Sequence, residues 1–126
     1  MANPVIHFEV QADDVARAKK FYETVLDMKL ERHAMGPLDM AWFPWVDKSN
    51  GAGGALVKHE AYQPAADGGV LIYFTAFSGD LSNELGRVEV AGGKICQGKK
   101  MISPEYGYMA VVSDTEGNRL ALHSRA

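Results

Sequence analysis

His7 and Glu9 stand two residues apart in the segment Val5-Ile6-His7-Phe8-Glu9-Val10. A histidine titrates near neutral pH, and a carboxylate beside it can orient or share its proton, so the pair suits general acid–base work. Tyr73 and His123 are candidate donors to an oxyanion that such chemistry would develop. A plainer role is open to the same groups. His7 and Glu9 could be polar contacts for a bound molecule, or Glu9 could orient His7 through a water or pair with Arg119.

Alternation decides where these side chains point. Ile6, Phe8 and Val10 form one face of a period-two strand and His7 and Glu9 the other. Burying each apolar side chain under a helix gains about 1.5–3 kcal/mol, so His7 and Glu9 are expected on the opposite, concave side. The same parity sends Leu71, Tyr73 and Thr75 to the concave side of a strand over 70–76. In a strand over 118–124 it sends Arg119, Ala121 and His123 there. A three-residue hairpin loop places Val111 opposite Ala121 and Met109 opposite His123.

The remaining elements follow from pattern. Asp13 or Asp14 supplies a helix N-cap, and Val15, Ala18, Phe21, Tyr22, Val25 and Leu26 recur at helical spacing up to a left-handed terminator at Asp27. Strands are predicted over 28–32, 40–46 (with Pro44 marking an edge or bulge) and 53–57. After a polar, Ala-, Gly- and Pro-rich linker over 61–69 the order returns. It runs as a strand over 70–76, a helix capped by Asp80 and ended by Gly92-Gly93, and strands over 94–97, 106–113 and 118–124. The turn Asp114-Thr115-Glu116-Gly117-Asn118 joins the last two, with Gly117 left-handed. The segment from Lys99 to Tyr108 is predicted as a loop at a cavity mouth, with Tyr106 a candidate lid contact.

An offset of 66 residues relates Asp14 to Asp80, Trp42 to Tyr108, Gly51 to Gly117 and Leu56 to Leu122. The fold class is therefore α+β: two tandem βαβββ modules, about 4–60 and 70–126, within one domain over 1–126. Carried across the repeat, the offset puts Phe43, Trp45, Ala55 and Val57 on the concave side. It also puts Trp42 and Tyr108 in the core. His33 and His59 are expected at the surface.

Composition narrows the function. The chain has 126 residues, 47% of them hydrophobic, which is enough for one packed core. A net charge of −3 with one basic pair, Lys99-Lys100, argues against nucleic acid as a partner. No apolar run suits a membrane span, the N-terminus lacks a signal-peptide pattern, and the expected location is cytoplasmic. The single cysteine, Cys96, excludes an internal disulfide or a cysteine zinc site and is expected to be an inert small hydrophobe.

Four stretches taken together resemble the vicinal oxygen chelate superfamily, which includes glyoxalase I, bleomycin-resistance proteins and extradiol dioxygenases. They are His7 with Asp14, Phe21-Tyr22 with Val25-Leu26-Asp27-Met28-Lys29-Leu30, Gly92-Gly93-Lys94, and Asp114 through Leu120. The resemblance implies curled mixed sheets whose concave faces form a cavity, covered outside by helices, and a homodimer. It also implies where a divalent metal would be held in members that use one: on the first, fourth, fifth and eighth strands. Those positions fall here at His7, at Ala55 or Val57, at Leu71 or Tyr73, and at Ala121. Alanine and leucine cannot ligate, so no metal centre and no cofactor is expected. The stretch from Thr75 to Gly79 looks two residues longer than usual, which leaves the fifth-strand register open.

The expected function is metal-free binding or sequestration of a small, partly aromatic molecule, of the bleomycin-resistance kind. The expected ligand contacts are His7, Glu9, Phe43, Trp45, Tyr73, Met109 and His123. The alternatives are a glyoxalase-like lyase, isomerase or other enzyme using His7 and Glu9 as catalytic groups, with or without a divalent metal, and a protein-interaction module.

Overall fold

A computed structural model describes residues 3–48, 50–61, 63–64 and 69–126, so part of the predicted linker lies outside the described residues. Strand β1 (His7–Gln11) leads into helix α1 (Val15–Leu26). Strands β2 (Glu31–Met35), β3 (Leu38–Trp42) and β4 (Gly53–Lys58) complete the first half. The second half repeats the order as β5 (Ile72–Thr75), α2 (Leu81–Val88), β6 (Lys94–Ser103), β7 (Gly107–Ser113) and β8 (Arg119–Ser124). Each half builds one four-stranded mixed sheet, in the orders β1-β4-β3-β2 and β5-β8-β7-β6. The two sheets do not close into a barrel.

Local chemistry sets the element ends. The Asp14 carboxylate accepts from the Arg17 N–H, which caps α1. Asp27 ends that helix in the left-handed conformation, φ 54° and ψ 56°, as the sequence predicts. All six apolar residues predicted to line α1 are buried. Helix α2 stops at Val88, four residues short of Gly92. Three strands depart from expectation. β2 begins three residues later than predicted, β3 ends at Trp42 ahead of Pro44, and β6 runs through to Ser103. A proline lacks the N–H that a ladder needs, which accounts for β3. The continuation of β6 reduces the predicted mouth loop to a short turn around residues 104–106.

One core serves both halves. Phe8, Tyr22, Phe43 and Phe74 meet at centroid distances from 5.4 to 5.6 Å, so rings from β1, α1, the chain after β3 and β5 interlock. A polar clamp ties α1 to the β7–β8 turn. The Tyr22 hydroxyl donates to Asp114 at 2.7 Å, and the Arg17 guanidinium reaches Glu116 at 2.7 Å. Burial raises the Asp114 pKa against the hydrogen bonds that favour its anion, and burial followed by the Asp114 charge pushes the Tyr22 hydroxyl well above its usual value.

Candidate functional site

Strand parity holds from His7 onward, but Ile6, expected on the buried face, precedes β1 and is 80% exposed. His7 and Glu9 are exposed, while Phe8 packs against the core and Val10 is buried. The His7 Nε2 and Glu9 Oε2 atoms lie 3.3 Å apart. Their Cα atoms sit two residues apart on a strand, about 6.6 Å, so the side chains lean together and need no intervening water. The His7 ring also rests 5.2 Å from the Trp42 ring.

That contact corrects the placement of Trp42. It lies opposite Ala55 and packs with Met40, Ala55 and Val57 in a small cluster on the concave face, not in the main core. Phe43 has the reverse correction. It is 7% exposed and turned into the aromatic core, not onto the concave side. The cause is a length difference between the halves. Trp42 and Val111 occupy matching places opposite Ala55 and Ala121, yet 42 and 111 differ by 69, whereas 55 and 121 differ by 66. Three extra residues enter between β3 and β4, so the constant offset inverts the faces there. The offset at the first strands is 64, because Glu9 lies opposite Ala55 and Tyr73 opposite Ala121. This agrees with the two additional residues read between Thr75 and Gly79.

A pocket of about 460 Å³ lies where the chain after β3 faces β5, beside the C-terminal end of α1. Phe8, Phe43, Trp45, Tyr73, Phe74 and Phe77 line it, with Asp27, Asn50 and Thr75 among its polar groups. Trp45 and Phe77 are 62% and 68% exposed, so their rings form an open rim rather than core. Gly53 lets the Trp45 ring approach the sheet, since a Cβ there would stand 2.5 Å from Trp45 Cε3. Phe77 and Asp27 carried no sequence signal of a site. Phe77 follows a strand end, and Asp27 read only as a helix terminator.

The predicted contacts are not all brought together. Phe43, Trp45 and Tyr73 border the main pocket, and Glu9 borders a second one of about 190 Å³. His7, Met109 and His123 border neither. Met109 faces His123 and Val111 faces Ala121, which is the register the hairpin length predicted. His123 Nε2 sits 2.6 Å from the Tyr106 carbonyl oxygen and holds the turn after β6 against β8. Tyr106 itself is 58% exposed. Cys96, expected to be an inert small hydrophobe, is exposed, with its sulfur 3.4 Å from Ser113 Oγ.

For a metal ion the donor chemistry is sparse. Across β4, His7 faces Gly53 and Glu9 faces Ala55, neither of which carries a side-chain donor. Tyr73 faces Ala121 on the other sheet. Among the described residues no three His, Cys, Asp or Glu side chains are grouped to hold an ion. Among the described residues at these strand positions, no second His or carboxylate faces His7 across the sheet.

Residues 5–122 match the family model of the Glyoxalase/Bleomycin resistance protein/Dioxygenase superfamily. The chain belongs to that superfamily. No curated protein matches it. Among solved structures, a glyoxalase I variant from Zea mays is 20% identical with a TM-score of 0.75, over 97% of this chain and 46% of the maize chain. This chain thus spans about half the length of that relative. A glyoxalase/bleomycin resistance protein from Albidiferax ferrireducens is 21% identical with a TM-score of 0.70, over 98% of this chain and all of the other. The trypanothione-dependent glyoxalase I of Leishmania major is 16% identical with a TM-score of 0.71, over 98% and 88%. At these identities the likeness establishes the fold, and within this superfamily the fold hosts several activities. No helix among the described residues is long and apolar enough to cross a membrane.

Proposed function

We propose that this superfamily member binds a small, flat, largely apolar molecule in the aromatic-rimmed pocket and does so without a metal ion. The carrying observation is the pocket itself. About 460 Å³ is bounded by aromatic rings from three segments of the chain, with few polar groups to fix orientation, which is the composition of small-molecule sites. Stacking on such rings adds about 0.5–1.5 kcal/mol per pair beyond the area buried. Binding without turnover is the bleomycin-resistance mode. In this reading the protein is a cytoplasmic homodimer. The free, exposed Cys96 suits a reducing compartment, and exposed Tyr73 and His7 on open sheet faces suit cover by a second copy. His7, Glu9, Met109 and His123 then serve as contacts only in that assembly.

The test is titration of the metal-free protein with N-phenylnaphthylamine, a neutral aromatic probe that brightens in apolar sites. Saturable binding that Trp45→Ala weakens, with the probe recovered chemically unchanged, supports the reading. An absence of saturable binding overturns it.

A second reading, a glyoxalase-like or other acid–base enzyme, has one observation in its favour. The imidazole of His7 and the carboxylate of Glu9 are already 3.3 Å apart on an open face. Turnover of a carbonyl substrate that His7→Ala abolishes, with Tyr73 and Trp45 variants unaffected, would favour it over binding.

A further inference from the structure

Helix α2 buries Leu81 and Val88, and with them Glu84, which is 1% exposed. A carboxylate at a core position is costly unless it is bonded. Here both oxygens are engaged. Glu84 Oε1 accepts from the Ser78 hydroxyl at 2.7 Å, and Oε2 accepts from the Ser78 N–H at 3.1 Å. Oε2 also lies 3.7 Å from an Arg87 guanidinium nitrogen one turn along the helix.

Both partners lead to the aromatic-rimmed pocket. Ser78 directly follows Phe77, a ring of the rim, in a turn where the Gly79 N–H donates to the Ala76 carbonyl at 3.0 Å. Packing does little to hold Phe77, which is 68% exposed. Arg87 donates from Nε to the Thr24 carbonyl at 3.0 Å and from Nη2 to the Val25 carbonyl at 2.9 Å, in the last turn of α1. The next three residues, Leu26, Asp27 and Met28, line the same pocket. A chain of contacts thus runs from the Phe77 turn through Ser78, Glu84 and Arg87 to the end of α1, and each of its ends adjoins pocket lining. Leucine at 84 would suit the core face of α2 and would take the acceptor from both arms. Apolar replacement of a buried ion pair is often neutral or stabilising, so a carboxylate here is better accounted for by what it positions than by stability.

We propose that Glu84 is a positioning residue of the aromatic pocket: a buried strut that fixes the Phe77 turn and the end of α1 relative to each other, its effect on binding resting on the aromatic-pocket reading. Its oxygens hold Ser78 and its charge holds Arg87. Glutamine at 84 keeps one acceptor oxygen and loses the charge, so both arms slacken. A flat molecule then meets walls that must be ordered as it binds, which weakens binding although no lining residue is lost.

The test has two readouts on the full chain. The first, amide hydrogen exchange by NMR, needs no ligand. It compares the amides at 78 and at 28, the latter bonded to the Glu23 carbonyl at 3.3 Å, with that of Leu122 in β8. Glu84→Gln should speed exchange at 78 and 28 at least about tenfold more than at Leu122, because local opening is distinct from global unfolding. Ser78→Ala should act more on 78 than on 28, and Arg87→Met the reverse, so each arm is tested even where Glu84→Gln does not fold. The second readout is N-phenylnaphthylamine affinity. Glu84→Gln should raise the Kd about two- to twelvefold, the span set by ring stacking. Ser78→Ala should raise it as well, but not in a Phe77→Ala background, whereas Arg87→Met should raise it in both backgrounds. The strut is overturned if exchange at 78 and 28 keeps its wild-type ratio to Leu122 in every variant, or if Ser78→Ala weakens the probe equally with and without Phe77. It is also overturned if Glu116→Gln, which acts at the α1 clamp away from this pocket, weakens the probe as much as Glu84→Gln does, because the effect is then general destabilisation. A wild type that fails to bind the probe, with both amides still freed in Glu84→Gln, sinks the aromatic-pocket reading and upholds the strut, so the two claims fail separately.

Discussion

Two adjacent glycines on β4 provide a direct test of the aromatic pocket. Gly53 and Gly54 point to opposite faces of the strand. A Cβ on Gly53 would lie 2.5 and 3.0 Å from Trp45 Cε3 and Cζ3, and one on Gly54 would lie 2.5 to 2.6 Å from three atoms of the Phe8 ring. Carbon pairs settle near 3.5–4.0 Å, so each ring must withdraw by about 1 Å in the alanine variant. Trp45 is 62% exposed and can swing into solvent. Gly53→Ala should therefore leave stability within about 0.5 kcal/mol of wild type, the range of ordinary surface changes. Phe8 cannot move so freely, because its ring is held against Phe43 and Phe74 at 5.6 Å each. Gly54→Ala should cost about 1–3 kcal/mol, as overpacking of a core does. Binding should show the opposite order. Displacing Trp45 forfeits about 0.5–1.5 kcal/mol of stacking, a two- to twelvefold rise in the Kd for N-phenylnaphthylamine. Urea unfolding measures the first quantity and probe titration the second. The chain has two tryptophans, Trp42 and Trp45, so quenching of intrinsic fluorescence is assigned to Trp45 in a Trp42→Phe background. If Gly53→Ala destabilises the fold as much as Gly54→Ala, or binds the probe as tightly as wild type, the assigned role of Trp45 is wrong.

Three further outcomes are expected. Tyr22→Phe removes a 2.7 Å hydrogen bond to the buried Asp114 carboxylate and should cost about 1.5–3 kcal/mol in urea unfolding with an unchanged m value. Glu116 should support stability in a pH-dependent way. Burial works to raise its pKa, but hydrogen bonds from Arg17, the Asp14 N–H and Thr115 outweigh it and hold the pKa below the usual carboxylate value. A depressed folded pKa means stabilisation that is complete above the unfolded value of about 4.3 and is lost as pH falls through the folded one. The gap in thermal midpoint between wild type and Glu116→Gln should accordingly be constant from about pH 7 to pH 5 and narrow below about pH 4. Exhaustive chelation should change neither the thermal midpoint nor N-phenylnaphthylamine affinity; a loss of either that zinc or another divalent ion restores would contradict metal-free binding.

Much of the fold was legible because its signals are local. The α1 pattern from Val15 to Leu26, the Asp14 cap and the left-handed Asp27 depend on helical spacing and on which residues tolerate that conformation. The β7–β8 register depends on the length of one turn, and Met109 does face His123. The faces of the third strand were misassigned because a repeat offset assumes equal connections, and the chain spends three more residues between β3 and β4 than between β7 and β8. One such change in parity is enough to turn Phe43 inward and Trp42 outward.

The amino-acid order alone determined which segments become strands and helices, that they recur as a duplicated unit, and that His7 and Glu9 share an exposed face. Each is a consequence of periodicity and of backbone preferences within a few residues. Tertiary structure decided that the hollow lies at the seam, not between closed concave faces, and that Trp45, Tyr73 and Phe77 gather around one space. It also decided that Glu9 and Arg119 border one pocket although 110 residues of numbering separate 9 from 119. Those placements depend on how the two sheets dock through the ring cluster of Phe8, Tyr22, Phe43 and Phe74. Packing of that kind is a relation between distant segments, and no local pattern encodes it.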